Sequence, residues 1–501
     1  MPAVVFAQGG DLTYLQLGIG AILARLIVGL IFVRAFYERE IYSPYDYVGA
    51  RLGAPARTAT TWLFVLGAVL GQSVRVLLTA KILELISGIP MSGSIWLIGA
   101  FAAGWTLLGG ITTVIWTDVI QFFVFLLAMA AGLGFVLHTL PGGWAELWQT
   151  AAASGKTRLW NLTTDPSVAF TLWAALVGNT VMCLGAFGTD QMMAQRMFCC
   201  RGPRQATYAI IASSVGQLVA VLAALVGLGL FAFYQRPDHA LTGGALALAT
   251  ESKDSIFPYF ILTEMPTGLV GLIIAGIFAA AISSLDSALA ALAQTVVTGI
   301  YRPWRERTVH PGGDAPADER HYLRVSKVLV VVWALVLSGM AQVSLLALDR
   351  YGDILNLALA MATYTWGALL AAFLVALLRV PVDHRGVVWG APLSVLAVFA
   401  VTWHQPWAHV VTAAVGGAVT LGWFIGVCCQ PMDSPGDRRR AWLGLTVVAA
   451  TAAAAFGACA YRDATGQPLR LAWPWSVPIG LAVAFALACL LGRPRSEHTA
   501  T

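Results

Sequence analysis

Charge is what this sequence has little of. Only 11% of its 501 residues are charged, against about 25% in ordinary soluble domains. No polar tract is long enough to build a separate water-soluble domain, which argues against an enzyme active site working in water. The formal excess of +5 is scattered over short connecting segments rather than gathered on one basic face, which argues against a nucleic-acid partner. Metal-type cysteine spacing is also missing: Cys183, Cys199, Cys200, Cys428, Cys429, Cys459 and Cys489 contain no CxxC pair, so free thiols are expected. The pairs Cys199/Cys200 and Cys428/Cys429 fall at predicted inner helix ends, where acylation competes with a plain packed or lipid-facing role. No low-complexity tract or short-period repeat occurs. The opening MPAVVFAQGG is too short for a signal peptide and has no basic n-region.

What the chain does have is apolar length. Hydrophobic residues make up 58% of it and the mean hydropathy is +0.75, as in a protein that crosses a bilayer many times. Hydropathy and turn signals predict about thirteen spans: near 11–35, 57–86, 93–109, 111–137, 167–188, 206–234, 267–300, 326–347, 354–378, 387–403, 408–429, 441–461 and 475–492. If the first runs outward to inward, predicted inner segments hold 20 of the 30 basic residues and outer segments hold 7. That asymmetry places the N-terminus outside and the C-terminus in the cytoplasm. The longest polar insertions are 138–166 and 235–266 outside and 301–325 inside, the last containing the flexible-looking HPGGDAPADER. Asn161-Leu162-Thr163 is a glycosylation-type triplet in a predicted outer segment.

An ionisable group at mid-bilayer costs roughly 3 kcal/mol, so each one asks for a partner or a role. The intramembrane set is Asp118, Asp286, Arg25, Arg75 and Lys81, with Asp190 and Asp353 at span ends. In the seventh span, Ala280, Ser283, Ser284 and Ser287 share a helical face, with Asp286 three residues from Ser283. Serines alone fit a bland reading, hydroxyls bonded back to the preceding turn. A carboxylate beside them makes a set of hard oxygen ligands, suited to sodium. Asp118 has a structural alternative, an ion pair with Arg25, Arg75 or Lys81. Arg75, in GQSVRVLLTAKIL, is suited to hold a solute carboxylate bidentately; its alternative is satisfaction by helix carbonyls or Asp118. Lys81 is placed to snorkel outward. Glycine interruptions at 109–110 and at Gly178, Gly185 and Gly188 fit broken helices around a transport site, and equally fit close packing.

Three segments in this order, GGITTVIWTDVIQFFVF, GTDQMMAQRMF and GLIIAGIFAAAISSLDSALAALAQTVVTGIY, resemble the sodium/solute symporter family, which includes sodium-coupled carriers of glucose, proline and sialic acid. The resemblance covers roughly 10–380; later spans match only in hydropathy. It implies an all-α membrane protein with a LeuT-type fold of five-plus-five inverted repeats. Residues 1–138 would form the first repeat without its first helix, 139–380 the second, and 381–501 additional spans. It implies a main sodium site from the Ala280 carbonyl, Ser283 and Ser284, and a second cation site from Asp118 and Ser287. Asp286 stands where the sialic acid branch has another serine. Two carboxylates facing one small volume favour a second sodium or a bound proton. By the same positional match, Asn179, Cys183, Ala186 and Phe187 on helix six and Tyr364, Thr365 and Trp366 on helix ten would line the solute.

The departure lies at the start. MPAVVFAQGGDLTYLQ resembles the stretch that comes after the family's first core helix, so two spans are missing. Either the start has been assigned too far downstream, which the intact motifs favour, or this is a degenerate member. The expected function is sodium-coupled symport of a small hydrophilic organic solute (sugar, amino acid, carboxylate or sialic acid class) in the plasma membrane, with the lipid bilayer as its other partner. A non-transporting sensor or truncated relative is the alternative; a channel lacks a pore loop.

Overall fold

Hydrocarbon offers backbone amides no hydrogen bonds, so a chain this apolar must satisfy them internally. The computed structural model describes residues 2–38, 43–108, 111–239, 256–308, 315–351, 354–429, 435–462, 466–468 and 471–493, and apart from one isolated bridge between Arg462 and Pro468 their regular structure is helical. The glycine pair at 109–110, Asp353, residues 240–255 of the expected outer loop and residues 309–314 of the expected inner loop lie outside the described residues.

In chain order the helices are α1 (Pro2–Phe6), α2 (Thr13–Tyr37), α3 (Pro44–Leu52), α4 (Ala54–Ser87), α5 (Met91–Leu108), α6 (Ile111–Thr139) and α7 (Gly143–Ala153). There follow α8 (Ala174–Gly188), α9 (Gln191–Phe198), α10 (Pro203–Tyr234), α11 (Ile256–Glu264), α12 (Thr267–Arg305) and α13 (Ala315–Tyr351). The last are α14 (Ile354–Leu377), α15 (His384–Thr402), α16 (Pro406–Cys428), α17 (Pro435–Ala460) and α18 (Trp473–Leu491). Among the described residues eleven helices are long and apolar enough to span, and Ala174–Gly188 and Thr363–Leu377 are shorter apolar helices. Eleven, not about thirteen, is thus the number meeting both criteria.

Local chemistry sets the ends. Ser43 caps α3 by accepting from the Tyr45 amide, with Pro44 in the first turn, and Gly88 at φ 71° closes α4. Asp190 restarts the chain as α9 two residues after α8 stops, its side chain accepting from the Met192 amide. Close contacts then decide which helices meet. A Cβ on Gly20 would sit 2.1 Å from the Ala175 carbonyl oxygen, so only glycine lets α2 lie against α8 at this distance. Helix α12 packs along α6, α4 against α13 and α14, and the final helix α18 returns to lie on α14 and α15. Outward faces carry leucine, valine and tryptophan, as at Leu30, Trp116 and Val410. All seven cysteines are free thiols.

One residue between α7 and α8 ties α1 down. Lys156 follows α7 and is buried, and its Nζ donates to the carbonyls of Val5 (2.8 Å), Phe6 (3.2 Å), Ala7 (2.7 Å) and Gly10 (3.0 Å). It also lies 4.5 Å from the Phe231 ring centroid. Three ammonium protons are thereby shared among carbonyls at and just beyond the end of α1, where helical partners run out. Burial pushes this ammonium below the ordinary lysine value, while the Asp11 charge draws it back up. Lys156→Met should remove about 2 to 3 kcal/mol of local stability. Hydrogen exchange checks this: amides of residues 2–11 should lose protection while those of α10 keep theirs, and unchanged protection at 2–11 would contradict it.

Candidate functional site

The seventh predicted span forms α12, and its polar stripe sits where helical spacing put it. Ser284 donates to the Ala280 carbonyl at 3.2 Å, the bond back to the preceding turn that the bland reading of these serines expected. Ser283 instead donates across to α6, to Oδ1 of Asp118. The other Asp118 oxygen accepts from Nη2 of Arg196 at 2.5 Å, and the same nitrogen donates to Ser287 Oγ at 2.8 Å. Ser287 donates its backbone N–H to Asp286 Oδ1 at 2.6 Å, with its hydroxyl 3.4 Å from that oxygen. The cluster therefore reads Ser283, Asp118, Arg196, Ser287, Asp286, across α12, α6 and α9.

Asp286 ends the chain of contacts. It is fully buried, and its Oδ2 has no hydrogen-bond partner among the described residues. Two carboxylates and one guanidinium leave a formal charge of −1, and a buried uncompensated charge is expensive. One monovalent cation or one proton balances it. Among the described residues no group of three or more His, Cys, Asp or Glu side chains forms a metal-binding cluster.

Arg196 is the residue that sequence alone misplaces. There it counts as an inner-loop charge, and Asp118 is offered Arg25, Arg75 or Lys81 instead. None of those three pairs with Asp118. Arg25 donates to Ser213 Oγ (3.0 Å) and to the Ala21 carbonyl (3.2 Å), and Lys81 bonds Glu84 at 2.8 Å. The cause is the break at Thr189 and Asp190. Instead of leaving the membrane after Gly188, the chain is recapped by Asp190, and α9 carries Arg196 back against α12. The signal is present in GTDQMMAQRMF: glycine, then an N-cap residue, then an amphipathic turn.

The residues matched to the solute are dispersed. Asn179 is buried and donates to the Leu17 carbonyl at 2.7 Å, pinning α8 to α2. The Phe187 ring lies under Arg25, 4.2 Å from its guanidinium carbon. Tyr364 accepts from Trp403 Nε1 at 2.5 Å and lines an apolar cavity of about 700 Å3 shared with Trp62, Leu66 and Val343. Cavity-lining Trp62, Leu66 and Val343 are all strongly exposed, so this space opens on the lipid-facing side. Two residues further on, Trp366 packs its Cβ on Gly185 and lies near the Asp190 carboxylate. Trp366, not Tyr364, is the α14 side chain at the helix break. The remaining glycines of that segment serve packing: Gly178 against Pro474 and Gly188 against Phe32.

Arg75 is different. It is exposed although mid-way along α4, and among the described residues its guanidinium makes no hydrogen bond or ion pair; the charges that act on it are Asp190 and Arg196. It lies on a different face of α4 from Trp62 and Leu66, which line the lipid-side cavity. The break is held from the same side: Tyr45 donates to the Thr189 carbonyl at 3.1 Å and Gln72 to Met192 Sδ at 3.5 Å.

Comparison with known proteins bears on the family and the fold. The family model described as "Sodium:solute symporter family" matches residues 1–393. A sodium-dependent multivitamin transporter of Oryctolagus cuniculus is 26% identical over 400 residues, covering 80% of this chain and 60% of the relative. The human sodium/iodide cotransporter is 27% identical over 399 residues, covering 78% and 58%. Sodium-coupled monocarboxylate transporter 2 of Danio rerio is 26% identical over 404 residues, covering 79% and 61%. The chain thus spans about three fifths of the length of these relatives, which are transporters and not enzymes. A Na+-coupled sialic acid symporter, solved in a substrate-bound outward-open state, superposes with TM-score 0.70 at 22% identity, over 99% of this chain and 86% of that one. The likeness shows a shared LeuT-type fold.

The ion-pair geometry makes a cycle testable. Arg196→Gln raises the cluster's formal charge to −2 and should destabilise the protein by about 3 kcal/mol. Adding Asp118→Asn returns the charge to −1 and should restore most of that loss. Thermal unfolding in detergent reads both; additive losses in the double variant would contradict the pairing.

Proposed function

The chain belongs to the sodium:solute symporter family, and on that premise we propose that it couples inward sodium flow to uptake of a small solute bearing a carboxylate. The observation that carries the reading is the charge-unbalanced cluster across α12, α6 and α9, with Asp286 fully buried at its end. Ala280, Ser283 and Ser284 present a carbonyl and two hydroxyls on one turn, the hard neutral donors that an alkali ion takes. Asp118, Asp286 and Ser287 lie next to them with one negative charge to spare and one carboxylate oxygen without a partner among the described residues. That second site takes a sodium ion or a proton. Either balances the charge, and either couples the cluster to an ion gradient.

The solute class is argued from Arg75. An arginine half-way along a span is normally paired, and the planar guanidinium of an unpaired one suits a carboxylate. The charges that act on it, Asp190 and Arg196, lie at the interruption between α8 and α9 and on α9 itself, and a broken helix is where such carriers bind solute. Two of the relatives named above are, by name, carriers of anions, iodide and monocarboxylates. We assign residues 1–138 and 139–380 to the two inverted repeats, with alternating access as their relative motion about this region. The protein is a multi-pass membrane protein; the plasma membrane, with inside marked by arginine-rich segments, is the proposed location.

Reconstituted in vesicles, the protein should accumulate small monocarboxylates only with an inward sodium gradient. Ser283→Ala with Ser284→Ala should lower that uptake at least about tenfold, one ligand shell being worth over 1.4 kcal/mol. Arg75→Gln should raise the KM for carboxylates by about tenfold or more with little change in kcat, since it removes a charge-assisted contact. Asp286→Ser should lower the number of charges moved per solute. Uptake indifferent to sodium, or to the paired serine substitution, would overturn the reading.

A further inference from the structure

A second convergence of charge lies far from α12, at the membrane end that carries the arginine-rich segments. There a cavity of about 270 Å3 opens between α15, α16, α17 and α18. Arg385 comes from the first turn of α15, Arg440 from the beginning of α17, and Arg493 from just beyond α18; no acidic side chain is among the lining residues. Arg385 is shared with Asp383, whose Oδ2 lies 3.5 Å from its Nε. Arg440 and Arg493 form no ion pair among the described residues.

The rest of the lining is apolar and built. Trp389 and Trp423 meet edge to face, centroids 5.4 Å apart at 74°, and Trp423 is fixed by donating to the Ala441 carbonyl at 3.2 Å. Leu443 and Leu490, also on the lining, are strongly exposed to the outside of the bundle. A ligand that fits both halves has a compact anion at headgroup depth and hydrocarbon beside it. Tryptophans at the interface and a basic pocket between spans are how membrane proteins hold such molecules.

We propose that this cavity binds the phosphate of an anionic phospholipid of the phosphatidylglycerol type, its acyl chains running over Leu443 and Leu490. Guanidinium groups hold phosphate oxygens in pairs. A zwitterionic headgroup would bring its own ammonium to three arginines and is disfavoured. Free phosphate supplies the charge but leaves the exposed leucines without a partner. Bound lipid would bridge α15 and α18 to α16 and α17.

The whole protein, reconstituted in vesicles of equal phosphatidylcholine and phosphatidylglycerol and extracted in mild detergent, is examined by native mass spectrometry. Phosphatidylglycerol should be retained in preference to phosphatidylcholine. Retention should fall about fivefold with Arg440→Gln or Arg493→Gln, and further with both, each arginine near an anionic surface being worth a factor of that size. Arg438→Gln with Arg439→Gln, neighbours that do not line the cavity, should retain the lipid. Equal retention of both lipids by the native protein overturns the proposal, as does equal loss in the neighbouring control. Displacement of the lipid by excess inorganic phosphate would identify a free-anion site instead and likewise overturn it. The comparison within native protein stands even where a variant fails to fold.

Discussion

A guanidinium that reaches two helices at once organises the interior of this protein. Arg196 neutralises Asp118 on α6 and touches Ser287 on α12, and only because it does so can two carboxylates share one buried neighbourhood. Remove that bridge in thought, and the repulsion between Asp118 and Asp286 acts in a medium of low polarity, where charges are poorly screened. The bridge compensates one charge and leaves one. The same bridge ties α9 to α6 and α12.

The backbone is arranged to make that reach possible. Helix α8 stops at Gly188 and Asp190 caps a new one, and from it Arg196 reaches α6 and α12. Tyr45 and Gln72 hold the interruption from α3 and α4, and Trp366 packs beside it from α14. Several elements converge on two residues with no helical partner for part of their backbone. Irregular backbone at membrane depth is tolerated only when surrounded by protein in this manner.

Much of this is readable from residues alone. The spans are legible because hydropathy is a bulk property: the expected segment 57–86 is Ala54–Ser87, and 475–492 is Trp473–Leu491. The stripe of Ala280, Ser283, Ser284 and Ser287 is legible because helical periodicity decides neighbours within one element. Partners between elements are not. Arg196 reads as a loop charge until the short restarted helix is seen. Tyr364 and Trp366 differ by two positions, hence by about 200° around α14, and no local signal says which of them meets the break. Asn179 and Phe187 fall on the correct helix, yet their groups are spent on Leu17 and Arg25. That Arg75 has no partner among the described residues is a property of surroundings that composition does not encode.

The contact between Lys156 and the end of α1 has a temporal consequence. The carbonyls of Val5, Phe6, Ala7 and Gly10 receive this ammonium from a residue about 150 positions later, with four spans in between. At about 5–20 residues per second of synthesis, α1 waits on the order of ten seconds for its clasp to emerge from the ribosome. During biogenesis it is therefore locked only after four spans have been made, and before the helices from α8 onward have been.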